Sequence, residues 1–207
     1  MIYEAASPRF KPAPDAAVEE VRGKYGLPEE YMLTLGTIEP RKNLNRVVET
    51  LQMLRKKHRK VSLVIVGGTG WLYQDFFLNL EKLEDPQAVL MAGYVPDPDL
   101  PALITGARAL VLASFYEGFG LPVLEAMACG TPVVCSNTSS LPELGGAAAR
   151  YFDPHSVHDM AGVIGAVLEN ADLRAEMRTR GLEQAARFSW QRAARETLAV
   201  YDKLLKR

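Results

Sequence analysis

The apolar positions of this chain fall into short unbroken runs separated by amphipathic stretches. "YMLTLG" (31–36) is one such run, closed by glycine. "VSLVIVGG" (61–68), "AVLMAGY" (88–94), "RALVLAS" (108–114) and "TPVVCS" (131–136) repeat the form, and "AARYF" (148–152) is a shorter last one. Strands buried on both faces read this way, whereas half-exposed strands alternate. Helical periods lie between them. In "KNLNRVVETLQMLRKKH" (42–58), Leu44, Val47, Val48, Leu51 and Leu54 share one helical face, and His58 sits at a basic end where the dipole favours cations. "WLYQDFFLNLEKLE" (71–84), "DPDLPALITGA" (97–107, with Asp97 or Asp99 near its cap) and "LPVLEAMACG" (121–130) are further expected helices. Six such strands linked by helices predict an α/β fold: a doubly wound, parallel, six-stranded Rossmann-like sheet with helices on both faces.

The flanks differ. Residues 1–26 read as a Pro-rich entering arm and the start of a first helix that ends near Gly26, and residues 27–188 as the Rossmann-like domain. After Asp153 the pattern becomes three helices, about 156–170, 172–187 and 189–206. The last, within 189–207, carries Trp190, Ala194, Leu198, Tyr201 and Leu205 on one stripe. No repeat of 20–50 residues is present.

Composition narrows the function. The 207 residues carry 24 basic and 25 acidic side chains, a formal net charge of −1. No global basic field exists to attract nucleic acid or anionic lipid, so any phosphate site is local. No charged-then-apolar leader opens the sequence and no apolar run approaches 18 residues, so a soluble protein is expected. The two cysteines, Cys129 and Cys135, sit among apolar neighbours and read as buried free thiols of a reducing compartment. His155 and His158 lack a third ligand at useful spacing, so no metal is expected.

Ligands of an open parallel sheet bind beyond the carboxyl ends of its strands. Four segments carry glycine, charge or both directly after a strand: 36–42, 67–71, 93–97 and 115–121. They converge on one crevice. In "EGFGLPVLE" (117–125), Gly118 and Gly120 permit a sharp turn and close backbone approach, and Pro122 suits the first helical turn. Free N–H groups near Phe119, Gly120 and Leu121 suit a diphosphate. Glu125, one turn further in, is placed to accept ribose hydroxyls, and Glu117 to accept those of a second sugar. The implied ligand is sugar–diphosphate–ribose–base. Taken alone, Glu117 is equally compatible with a solvated loop residue. In "GTIEPRKNL" (36–44), Arg41 and Lys42 precede a helix, where cations oppose the dipole; they suit a diphosphate or stand solvated. "VGGTGW" (66–71) lacks the dinucleotide fingerprint and reads as a rim turn. In "GYVPDPDL" (93–100), the backbone around Tyr94 and Val95 suits a base edge, or is an ordinary Pro-rich turn.

Together these stretches resemble a known family. "LGTIEPRKNL", "LVIVGGTG", "AGYVPDPDL", "SFYEGFGLPVLEAMACGTPVVCS" and "SLPELGGAAARYFDP" resemble the C-terminal, donor-binding half of GT-B glycosyltransferases of family 4 (group 1), a retaining group with many bacterial mannosyl- and glucosyltransferases. The Glu-x7-Glu pair, Glu117 and Glu125, is the most specific element, and the resemblance covers nearly all of residues 27–205.

The resemblance implies that Glu117, Lys42 and Arg41 act at the reacting centre, with the two cations neutralising the diphosphate. Gly118, Phe119, Gly120 and Leu121 would offer backbone N–H groups. Glu125 would hold the ribose, Gly36 and Thr37 would line the donor, and Val95 would mark the base pocket. It implies a UDP- or GDP-linked sugar as substrate and no cofactor or metal. It also implies bacterial polysaccharide or glycolipid assembly, in the cytoplasm or peripherally at the inner membrane face. Thr37 stands where many members carry Arg, so one phosphate contact is lost or passes to Arg41. An N-terminal acceptor-binding domain, which would also supply any membrane contact, is expected as a partner beyond this sequence. The last helix resembles the one that crosses back onto it, so its stripe is expected to be partly exposed. A non-catalytic nucleotide-sugar-binding module is the alternative, and an epimerase- or phosphorylase-like half a minor third.

Overall fold

A computed structural model describes residues 2–57 and 60–205; His58 lies outside the described residues. The six strands are β1 (Tyr31–Leu35), β2 (Ser62–Val66), β3 (Val89–Gly93), β4 (Ala109–Leu112), β5 (Val133–Ser136) and β6 (Arg150–Phe152). They form one sheet in the order β3-β2-β1-β4-β5-β6, every pairing parallel. Successive residues feed opposite faces, as a period of two requires. Leu33, Leu35, Val64, Leu110 and Leu112 enter one core, and Met32, Leu63, Ile65, Ala109 and Val111 the other. Both faces are therefore apolar, which explains the unbroken runs.

The helices are α1 (Asp15–Tyr25), α2 (Leu44–Arg55), α3 (Gln74–Leu80), α4 (Leu100–Thr105), α5 (Leu121–Ala128), α6 (Leu141–Gly145), α7 (Val157–Glu169), α8 (Ala171–Ala185) and α9 (Trp190–Leu205). The expected face of α2 is the buried one, and it packs against α7. Full burial of each such aliphatic side chain is worth about 1.5–3 kcal/mol before entropy is counted. Ser156 and Asn170 cap α7 and α8 through their side chains.

Asp99 is the N-cap residue of α4, in line with the expectation of Asp97 or Asp99 near that cap, though its side chain makes no capping bond and accepts instead from Lys24 and Tyr25 of α1, while Asp97 pairs with Arg9. Three details differ from the sequence expectation. The α3 helix is shorter than 71–84, because Leu72 adopts a left-handed φ of 51° and leaves Trp71 and itself exposed. The short α6 helix was not expected. The arm, residues 2–13, lies against the domain: Phe10 is buried in the core, Ala13 N–H donates to Thr105, and Tyr3 donates to Glu143 while packing edge-on against Phe188. By contrast, α9 behaves as expected. Its stripe stands open, with Leu198 61% and Tyr201 58% exposed.

The strand order reverses between β1 and β4. The loops that follow these two strands diverge there and leave the crevice in which doubly wound sheets hold ligands.

Candidate functional site

Backbone hydrogen bonds stitch the four post-strand segments together. Gly36 N–H donates to Val66, Ile38 to Gly68, Gly70 back to Ile38, Gly67 to Gly93, and Phe115 to Arg41. Two glycines make this possible. Gly36 (φ 131°) lies under the Lys42 side chain, and a Cβ there would stand 3.2 Å from Lys42 Cε. Gly67 (φ 143°) approaches so closely that its Cβ would lie 2.2 Å from the Gly36 carbonyl oxygen. Thr37 is exposed, with its methyl beside Gly70.

The β1 loop then tightens into a 3-10 turn, Pro40–Lys42, followed by Asn43 in a left-handed conformation. The buried Asn43 amide donates to the carbonyls of Ala113 (3.1 Å) and Pro154 (2.8 Å). It bolts the turn to the ends of β4 and β6, and so fixes where Arg41 and Lys42 stand.

They stand on Glu117. This carboxylate is 8% exposed. Lys42 Nζ donates to its Oε1 at 2.7 Å, Arg41 Nη1 to its Oε2 at 2.8 Å, and Ser114 Oγ to Oε1 at 2.5 Å. Burial opposes its ionisation, but the hydrogen bonds from Lys42 and Ser114 and the charge of Lys42 outweigh burial and hold its pKa below the usual carboxylate range. Arg41 also donates to Tyr116 O at 2.7 Å and to Glu39 Oε1 at 2.5 Å. The Glu117 loop is clamped from the β5 side: Ser139 Oγ accepts from Glu117 N–H, and Ser140 Oγ donates to the carbonyls of Glu117 and Phe119. A carboxylate offers about four acceptor positions. Three of those on Glu117 are taken, so one remains for a hydroxyl.

The turn after Glu117 has the opposite character. Gly118 is open, and a Cβ there would meet nothing within 4 Å. Gly120 (φ 108°) precedes α5, and a Cβ there would lie 2.8 Å from Leu141. Among the described residues, the backbone N–H groups of Gly118, Phe119, Gly120 and Leu121 have no protein acceptor. Those at the helix start carry the partial positive charge of its dipole. Glu125, one turn into α5, is half-buried and has no hydrogen-bond or ion-pair partner among the described residues. Burial pushes its pKa up, the charge of Arg9 pulls it down, and that of Asp97 pushes it up again. An unsatisfied acceptor thus stands behind a row of unsatisfied donors.

The fold thereby brings Gly36, Arg41, Lys42, Glu117 and the turn 118–121 to one place. Val95 is 2% exposed and its side chain belongs to the core, so that side chain cannot line an open pocket; the neighbouring Tyr94 is 80% exposed. Sequence reasoning missed Asn43, Ser114, Ser139 and Ser140. Asn ahead of a helix, in a position that favours left-handed backbone, was the one available signal. Among the described residues no cluster of His, Cys, Asp and Glu could hold a metal ion. His155 stacks on Phe115 with centroids 5.0 Å apart. Cys129 and Cys135 are buried and free, with burial pushing both thiols up to about 12. No described helix is long and apolar enough to cross a membrane.

Comparison with known proteins adds a lineage. Residues 18–184 match the family described as glycosyl transferases group 1. The chain is 41% identical over 202 residues to the O-antigen chain mannosyltransferase B of Escherichia coli, covering 97% of this chain and 53% of that protein. It is similar to two solved structures at 20% identity, a likeness of fold. One is HepE of Anabaena in complex with UDP-glucose (TM-score 0.83; 100% of this chain, 57% of that one). The other is the C-terminal domain of a glycosyl transferase group 1 family protein from Francisella tularensis (TM-score 0.76; 88% and 96%). The chain spans about half the length of the mannosyltransferase it resembles. With residues 18–184, most of its length, matched to that family, the chain belongs to the group 1 glycosyl transferases.

Proposed function

We propose that this chain is the donor-binding half of a retaining glycosyltransferase that moves a hexose from a nucleotide-diphosphate sugar to a growing bacterial polysaccharide or glycolipid. The observation that carries the reading is the pairing, at the sheet's switch point, of two cations on a buried carboxylate with a row of backbone donors that lack acceptors.

In this reading the diphosphate lies on the N–H groups of 118–121 and against Lys42 and Arg41. Negative charge grows on the diphosphate as the sugar departs. Cations and helix-start dipoles fixed at that point stabilise the transition state more than the ground state. Glu117 orients Lys42 and Arg41 and keeps one acceptor position for a sugar hydroxyl. Glu125 takes the two ribose hydroxyls, which supply the hydrogen bonds it lacks. The base lies along the backbone of Tyr94 and Val95. No metal enters this scheme, because the charge on the leaving group is met by protein groups. The acceptor binds on a separate N-terminal domain that faces the crevice, with α9 docking against it, and any membrane contact belongs to that domain or to the acceptor. The names of the relatives support sugar transfer, and the Anabaena HepE complex supports a nucleotide-sugar ligand for this fold.

The test is a thermal-shift titration with UDP-, GDP- and ADP-sugars, using free sugar and inorganic phosphate as controls. One nucleotide class is expected to stabilise the chain, by about 2.7 kcal/mol at 100 times Kd, and Lys42→Ala is expected to weaken that effect. Stabilisation of wild type and Lys42→Ala to the same extent would sink the assignment of the diphosphate site. Transfer on mixing with a separately produced N-terminal half would distinguish an enzyme subunit from a binding module.

A further inference from the structure

The cations of this crevice are already neutralised before any ligand arrives, and Glu39 supplies half of the neutralising charge. Arg41 is shared: Nη1 goes to Glu117 at 2.8 Å and Nη2 to Glu39 at 2.5 Å. Glu39 is itself held. Its second oxygen accepts the indole N–H of Trp71 at 3.1 Å. Two carboxylates, Glu39 and Glu117, therefore face two cations, Arg41 and Lys42, and the cluster carries no net charge. The Glu39 side chain is 15% exposed, so solvent screens its charge weakly. Among the described residues the Glu117 carboxylate accepts from Lys42, Ser114 and the shared Arg41, whereas Glu39 accepts from Arg41 and a neutral indole. Trp71 holds Glu39 in place from the exposed rim, where the left-handed Leu72 keeps that residue out of α3.

We propose that Glu39 is a positioning residue that acts through Arg41: anchored by Trp71, it competes with the incoming diphosphate for the guanidinium and so holds nucleotide affinity down. This rests on the reading of the cluster as the diphosphate site. A diphosphate takes Arg41 only by displacing the Glu39 carboxylate, and when the nucleoside diphosphate product leaves, Glu39 returns. The carboxylate thus weakens ground-state and product binding alike, and favours release after transfer.

The experiment is calorimetric titration of the intact chain with UDP, GDP and ADP, following whichever binds wild type. The variants are Glu39→Gln, Arg41→Gln, the double variant, Trp71→Phe and Lys42→Ala, each with a melting curve. A Gln side chain carries no charge and puts a donor amide at one of the two positions where Glu39 accepts from Arg41 and Trp71. Glu39→Gln is expected to bind the nucleoside diphosphate about tenfold more tightly. In the Arg41→Gln background most of that gain is expected to vanish, the signature of action through Arg41. Trp71→Phe, which deletes the anchoring donor, is expected to move the same way by about threefold. A residue with a merely structural role gives weaker binding together with a lower melting temperature. Weaker or unchanged binding in Glu39→Gln, or an equal gain with Arg41 removed, overturns the proposal. Binding by wild type that Lys42→Ala weakens, with no gain in Glu39→Gln, refutes this inference alone. No binding of any of the three nucleotides by wild type refutes the diphosphate reading together with it.

Discussion

Glu125→Gln separates stability from function at a single carboxylate. The side chain is half-buried, has no partner among the described residues, and has a pKa raised chiefly by burial. A carboxylic acid whose folded pKa lies above its unfolded one contributes stability that is fully present below the unfolded pKa, about 4.3. That contribution is lost as pH rises through the folded value. Glutamine keeps the shape and cannot ionise. Without ligand, the variant is therefore expected to melt above wild type at pH 7, with the difference closing below about pH 4. With ligand the sign reverses. Two ribose hydroxyls donating to an ionised acceptor are worth roughly 1.5–3 kcal/mol each, against roughly 0.5–1.5 for a neutral one. The loss is about 2 kcal/mol, or about 30-fold in Kd. At a concentration 100 times the wild-type Kd, ligand stabilises wild type by about 2.7 kcal/mol and the variant by about 0.9. For a chain of this length that is an upshift of about 5–10 °C against about 2–3 °C. The assay is a melting curve at pH 4 and pH 7, with and without the nucleotide sugar that binds. Equal ligand-induced shifts in variant and wild type would show that no ribose rests on Glu125. A variant that melts below wild type at pH 7 without ligand would show that the carboxylate has a native partner.

Glu117→Gln is expected to lower stability by about 3 kcal/mol, about 6–12 °C, because Lys42 is then left buried without a counter-charge. The lowered Glu117 pKa gives a stabilising contribution that is present above the unfolded value and lost as pH falls through the folded one, so the variant's melting temperature should vary less between pH 5 and pH 3. Gly67→Ala is expected to cost roughly 3 kcal/mol or more, since a left-handed φ and a collision with the Gly36 carbonyl act together; urea unfolding should show a lower midpoint at an unchanged slope. Glu replacements at Leu198 and Tyr201, both exposed on α9, are expected to change stability by no more than about 0.5 kcal/mol. The same replacements should abolish pull-down of a separately produced N-terminal half, and retained capture would remove α9 from that interface.

The strands and most helices were legible because burial on two faces leaves unbroken apolar runs and burial on one face leaves a 3.6-residue period. Leu33, Val64 and Val111 sit where such runs put them, and Leu44 to Leu54 line the face that α2 buries. Strand order was not legible, since no local pattern says that β4 returns beside β1. Short α6 was missed because five residues hold barely one helical turn. In the site, the post-strand position of Arg41, Lys42 and Glu117, with Glu125 one turn into the helix that follows, pointed to one crevice. The partnership of Lys42 with Glu117 did not, because 75 residues separate them and each also reads as a phosphate or sugar contact taken singly. The clamps made by Asn43, Ser139 and Ser140 depend on loop geometry, which small polar side chains announce only weakly.

The Gly36–Gly67 contact also bears on how β1 and β2 find each other. "YMLTL" and "SLVIV" are buried along their whole lengths, so sliding one past the other still hides apolar atoms, and hydrophobicity discriminates poorly between alignments. The glycine pair discriminates strongly. In the native alignment, Leu35 beside Val66, the backbones beyond the strands touch at a place with no room for a Cβ. A slip that moves Val66 into the place of Gly67 brings its side chain toward that carbonyl, and the sheet cannot close in that alignment. Two residues without side chains thus act as the alignment key for two strands whose side chains carry almost no such information.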